Sequence, residues 1–164
     1  MAKNILNGKK GLIFGALNEE SIAWQIAKKC HEEGATFVLT NKPSSIRLGK
    51  LSELAETTNS KIIPAEITEP DDLRRLITET LNHSGGRIDF VLHSVGMSRN
   101  IRKNTPYDSI SYEYLTETLD VSAISLHKLV QTLISLDALN EYASIIAMTY
   151  VASQRTFHGY TDMA

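Results

Sequence analysis

Short apolar runs alternate with amphipathic stretches along the whole chain, and that alternation limits the folds open to it. "GLIFG" (11–15) reads as a buried strand, because a short continuous apolar run suits a strand covered on both faces. Residues 21–34 follow with Ile22, Ile26 and Cys30 four apart and Ala23 and Ala27 beside them, the spacing of one helix face. Ser21 suits the cap of that helix and Gly34 its stop. "TFVLT" (36–40) is a second strand, and residues 45–59 place Leu48, Leu51, Leu54 and Ala55 on one face of a second helix. "KIIPA" (61–65) is a third strand, which Pro64 assigns to a sheet edge. With Thr68 as its cap, a further helix carries Leu73, Leu76, Ile77 and Leu81 at helical spacing. Residues 87–96 hold the fourth strand, 111–136 a long amphipathic helix and 143–150 the fifth strand.

Such alternation predicts an α/β fold, a Rossmann-type doubly wound parallel sheet with strand order 3-2-1-4-5. Without repeats or linkers, residues 1–164 read as a single dinucleotide-binding domain. Sheets of this type usually continue past a fifth strand, so the domain is expected to be incomplete at its C-terminus, truncated after that strand.

Charge narrows the partners. Seventeen basic and nineteen acidic side chains leave a net charge of −2, with no broad footprint for nucleic acid or an anionic membrane. The single cysteine, Cys30, has no internal disulfide partner, which suits a reducing compartment. The N-terminus carries no apolar signal-peptide core, and no run reaches the ~20 apolar residues of a membrane span. A cytoplasmic soluble protein is the expectation.

The connection "GLIFGALNEESIAW" joins the first strand to the first helix. Gly15 permits a tight turn there, and the amides near Ser21 and Ile22 aim the helix dipole at an anionic group such as a pyrophosphate. Glu19 and Glu20 would be awkward beside phosphates and are expected to face solvent. An acid that holds a ribose hydroxyl would stand about 20 residues on. Thr40-Asn41-Lys42 offers none, while Lys42 suits a 2′-phosphate, so NADH and NADPH both remain open. After the fourth strand, "HSVG" (93–96) supplies small residues that let a cofactor approach the backbone. His93 has no second ligand at metal spacing and reads as a structural histidine, so no metal site is assigned. Arg99, Arg102 and Lys103 form a basic cluster that either steers an acidic partner or is simply solvated. Tyr150 closes the fifth strand and Tyr160 would start the next helix, where a phenol can hydrogen-bond a developing oxyanion.

Taken in order and spacing, "GALNEESIAW", "FVLHSVGMS" and "TYVASQRTFHGYTDMA" resemble the enoyl-acyl-carrier-protein reductases of bacterial type II fatty-acid synthesis. These form a divergent branch of the short-chain dehydrogenase/reductase superfamily. The resemblance implies that Gly15, Ser21 and Ile22 contact the pyrophosphate, and that Glu66 and Ile67 flank the adenine. It further implies that Ser94, Val95 and Gly96 line the ribose and nicotinamide, with Met97 near the substrate. Tyr150 matches the first active-site tyrosine and Tyr160 the catalytic one. Glu66 stands where aspartate is usual, and Lys42 replaces a glutamine common in NADH-using members.

In the family, a lysine follows the catalytic tyrosine by about two helical turns, which from Tyr160 falls beyond Ala164. The shorter step of the related ketone reductases lands on Ala164 itself. The expectation is therefore an enoyl reductase by family whose 164-residue chain alone has little turnover. Its implied partners are an acyl carrier protein bearing an enoyl thioester and further copies of itself, a tetramer using the helix at 111–136. Of two rival readings, a short-chain reductase acting on a ketone or alcohol is opposed by Ala164 and the Tyr150/Tyr160 pair, while a non-catalytic chain that binds nucleotide or pairs with longer subunits stays open.

Overall fold

The structure is a computed structural model that describes residues 4–149 and 151–163. Five parallel strands form one sheet in the order β3-β2-β1-β4-β5, as expected. They are β1 (Lys10–Phe14), β2 (Thr36–Thr40), β3 (Lys61–Ile62), β4 (Ile88–His93) and β5 (Leu139–Ala147). The pleat sorts the core into two layers. Leu12 and Phe14 of β1 pack with Leu73, Leu76 and Ile77 of α4 (Pro70–Ser84) and Leu129 and Leu133 of α7 (Ser125–Ser135). Ile13, between them in sequence, faces the opposite layer, made by α1 (Ile22–Glu32) and α3 (Leu51–Thr58). Helices therefore cover both sheet faces and leave the strand ends uncovered, where open α/β sheets generally form their crevices.

Five expectations need correction. The helix foreseen at 45–59 is two, α2 (Pro43–Leu48) and α3, broken at Gly49–Lys50. A Cβ on Gly49 would come within 2.6 Å of the Leu17 side chain and carbonyl, and Lys50 N donates to Leu17 O at 2.8 Å. The loop after β1 thus docks into the break, and Leu48 points away from the core at 88% exposure. The third strand is shorter than 61–65 because Pro64 has no N–H. Its neighbours still pair, Ile63 N with Leu39 O and Ala65 N with Asn41 O. Pro64 does mark an edge.

Thr68 does not cap α4. Glu69 occupies that position ahead of Pro70, whose ring suits the first turn. The long helix begins as α6 (Tyr112–Leu119), capped by Ser111 Oγ, and passes through a π-helical segment (Asp120–Ile124) into α7. Finally, β5 starts and ends earlier than 143–150. Between its Leu139 and Ser144 pairings with β4 the register shifts, and Asn140 Nδ2 donates to Asp89 Oδ1 at 3.2 Å. Among the described residues, no helix is long and apolar enough to cross a membrane.

Candidate functional site

At the carboxyl ends of β1, β2 and β4 the chain encloses a cavity of about 520 Å³. Its floor is set by one glycine. Gly15 leaves β1 at φ +88°, and a Cβ built on it would lie 1.8 Å from the Ser94 carbonyl oxygen. Two strand ends can approach this closely only if one of them carries no side chain. The result is a stretch of bare backbone, from Gly15 across to Ser94, Val95 and Gly96, that lines the cavity.

The walls come from three other places. Asn41 closes β2, with Nδ2 donating to Ala16 O at 3.0 Å and Oδ1 accepting from Lys42 N at 2.9 Å. That locks the turn which presents Lys42 and Ser45. The segment after β3 contributes Glu66, Ile67 and Thr68, and is pinned by Glu66 N donating to Asp72 Oδ2 at 2.9 Å. The π-helical segment brings in Asp120 and Val121. Widened turns of this kind recur at functional sites, because they re-aim side chains that a regular helix would direct elsewhere. Here the widened turn also holds the β4 loop: Ser122 Oγ accepts from Met97 N at 3.1 Å, and Met97 lines the cavity.

The structure brings together eight of the residues assigned from sequence to the cofactor and substrate: Gly15, Lys42, Glu66, Ile67, Ser94, Val95, Gly96 and Met97. Ser21 and Ile22 are not among the lining residues. Ser21 Oγ accepts from Leu17 N at 3.1 Å and donates to Asn18 O at 2.6 Å, so it shapes the loop rather than capping α1 with its side chain. Ile22 is exposed, as are Glu19 and Glu20. Tyr150 lies outside the described residues. Tyr160 does not begin a helix; it sits in a turn with its ring edge against Phe157, centroids 6.3 Å apart, and does not line the cavity.

His93 is structural. It is buried at the end of β4, with Nε2 2.9 Å from Ser125 Oγ, whose own proton goes to Val121 O. Burial pushes its imidazole below the ordinary range, which leaves the ring neutral at pH 7. The basic cluster lies on the short helix α5 (Arg99–Arg102) and the residue after it: Arg99 pairs with Glu117 at 3.2 Å and stacks over Tyr114, while Lys103 Nζ donates to the Tyr114 hydroxyl at 2.6 Å. Arg102 alone of the three lines the cavity.

Sequence reasoning missed Asn41, Ser45, Asp120 and Asp162. Asn41 and Ser45 carried a positional signal, since they flank a strand end beside Lys42. Asp162 carried none. Its carboxylate accepts from Ser98 Oγ at 2.5 Å, Asn100 Nδ2 at 2.8 Å and Thr118 Oγ1 at 3.1 Å, three side chains that are themselves buried. This knot fastens the segment before residue 164 to the rim of the site, and Met163 lies against Gly96.

Burial pushes the Asp162 carboxyl up, but the hydrogen bonds from Ser98, Asn100 and Thr118 outweigh it and hold it below the usual aspartate range. A depressed folded pKa adds stability that is complete above the unfolded value. It is lost as pH falls through the folded one. Urea midpoints of wild type and Asp162→Ala should therefore differ most at neutral pH and converge in acid. A gap that stayed constant from pH 7 to pH 3 would show that the carboxylate charge does not matter.

A family model for enoyl-(acyl carrier protein) reductase matches residues 15–164. Among solved structures, the FabI–NADH complex from Alistipes finegoldii is 54% identical, with a TM-score of 0.96, over 98% of this chain and 56% of that one. FabI from Candidatus Liberibacter asiaticus is 33% identical with a TM-score of 0.86, over 98% of this chain and 61% of that one. The enoyl-(acyl-carrier-protein) reductase (NADH) 2 of Rhizobium meliloti (strain 1021) is 25% identical over 159 residues, 97% of this chain and 58% of the relative. The chain thus spans about three-fifths of the length of the proteins it matches. By its cavity, its strand order and this match over nearly its whole length, the chain belongs to the enoyl-(acyl carrier protein) reductase family.

Proposed function

We propose that this chain forms the dinucleotide-binding part of an enoyl-acyl-carrier-protein reductase in fatty-acid elongation. The observation that carries the reading is the bare backbone at Gly15 and Ser94, an open cradle at the strand ends that a single Cβ would fill. A cavity of about 520 Å³ falls within the range of small-molecule sites. When bound, the reduced nicotinamide supplies a hydride for C3 of a trans-2-enoyl thioester.

The chain's own residues bind and orient. Gly15 with Ser94, Val95 and Gly96 offers backbone to the pyrophosphate and nicotinamide riboside. The N-terminal turn of α1, with Ser21 and Ile22, adds its dipole. Glu66 and Ile67 flank the adenine, and Met97 borders the substrate. Tyr160 is the donor to the thioester oxygen, where charge develops, and Tyr150 shapes the pocket or assists; both roles rest on the sequence resemblance. The acyl carrier protein presents the thioester. Copies of the chain assemble as a tetramer through the helix running from Tyr112 to Ser135, in the cytoplasm, and residues 1–164 act as one domain.

NADH stands in the names of both the Rhizobium meliloti relative and the Alistipes finegoldii complex, and it is the first choice here. One observation favours a second. Lys42 lines the cavity beside Ser45, and its ammonium has no hydrogen-bond partner among the described residues, so it is available to a 2′-phosphate. Calorimetric titration of both dinucleotides tests the pair of readings. Lys42→Gln should weaken NADPH roughly tenfold, the size of one charge-assisted contact, and leave NADH within about twofold. Equal losses for both would remove Lys42 from the 2′-position. For the reaction itself, the natural protein should oxidise NADH with a trans-2-enoyl thioester and not with a 3-ketoacyl thioester. The reverse preference would favour the ketone-reductase reading.

A further inference from the structure

Asp120 puts a carboxylate on the wall of the cavity. A dinucleotide brings a doubly negative pyrophosphate into the same space, so an uncompensated aspartate there opposes binding. The compensating charge comes from the next stretch of helix. Lys128 Nζ donates to Asp120 Oδ1 at 2.8 Å and to the Thr68 carbonyl oxygen at 2.9 Å. The pair is partly buried, with the two side chains 28% and 33% exposed, so solvent screens it less than a surface pair.

The arrangement depends on the widened turn. Asp120 and Lys128 are eight residues apart, further than the one-turn reach at which side chains on a regular helix meet. The intervening π-helical segment, Asp120–Ile124, accompanies their contact. The Thr68 carbonyl fixes the ammonium from the other side, because Thr68 lies on the cavity wall that carries Glu66 and Ile67. The lysine therefore spans two walls of the site without lining the cavity itself.

We propose that Lys128 is a positioning residue for the dinucleotide: held by the Thr68 carbonyl, it neutralises Asp120 so that the cavity accepts an anionic ligand. This rests on the dinucleotide reading above. The probe is NADH, titrated calorimetrically into the folded protein, with thermal melting measured alongside. Lys128→Met should raise the NADH Kd about tenfold, the order expected when one cation is lost beside an anionic site of intermediate dielectric. Lys128→Arg, which keeps the charge, should stay within about threefold of wild type. Removing both charges in Lys128→Met/Asp120→Asn should recover most of the loss.

That recovery is what a merely structural lysine would not show. A Lys128→Met protein that melts earlier but binds NADH like wild type would overturn the proposal. So would a double variant that remains as weak as the single one. If wild type itself fails to bind NADH or NADPH, the dinucleotide reading falls first and takes this proposal with it.

Discussion

Gly15→Ala is expected to lose dinucleotide binding and to lower the stability of the fold together. The added methyl has nowhere to go. At φ +88° an alanine is held in the left-handed region, and its Cβ would lie 1.8 Å from the Ser94 carbonyl oxygen and 2.7 Å from the carbon. Because those atoms are backbone, no rotamer change relieves the overlap, and the ends of β1 and β4 must separate. The conformational cost is about 1–2 kcal/mol, and forced repacking adds about 1–3 kcal/mol. The sum is a large share of the stability of an ordinary domain. Chemical denaturation and NADH titration of the variant check both halves. A variant with a wild-type midpoint and wild-type affinity would mean that Gly15 is not the floor of the site.

The second large effect separates two leucines that helical spacing alone treats alike. Leu51→Ala should cost about 3 kcal/mol, within the range for emptying a fully buried leucine site, and lower the melting temperature by roughly 6–12 °C. Leu51 is 1% exposed and packs with Leu54, Trp24 and Phe37 in the layer under α1 and α3. Leu48→Ala should change stability by less than about 0.5 kcal/mol, because Leu48 is 88% exposed on the far side of the Gly49–Lys50 break. Similar losses at both positions would show that residues 43–58 pack as a single helix. The thermal melts of these two variants are a direct test of where the chain turns.

That contrast also marks how far sequence reading reaches. The strand runs and their order were legible, because apolar residues in continuous short runs and in helical steps are a local record of what must be buried. Right-handed, short connections then leave few ways to order the strands. The backbone side of the site was legible for the same reason. Gly15 and the Ser94–Gly96 stretch follow apolar strands directly, and their small size marks where another group can come close.

Other features had no local record. The break at Gly49 exists because Leu17, far away in sequence, occupies the space a side chain there would need. Thr68 reads as a cap, yet its carbonyl binds Lys128 across 60 residues. Tyr160 reads as the start of a helix. Its neighbour Asp162 instead ties that segment to Ser98, Asn100 and Thr118, and Tyr160 packs on Phe157. By itself, then, the sequence determined the class of fold, the strand order and the glycine-built floor of the cavity. Only the tertiary structure decided the charged walls and the polar knot at its rim. Periodicity reports whether a residue is buried, whereas a hydrogen bond or an ion pair depends on which distant residue packing brings within reach.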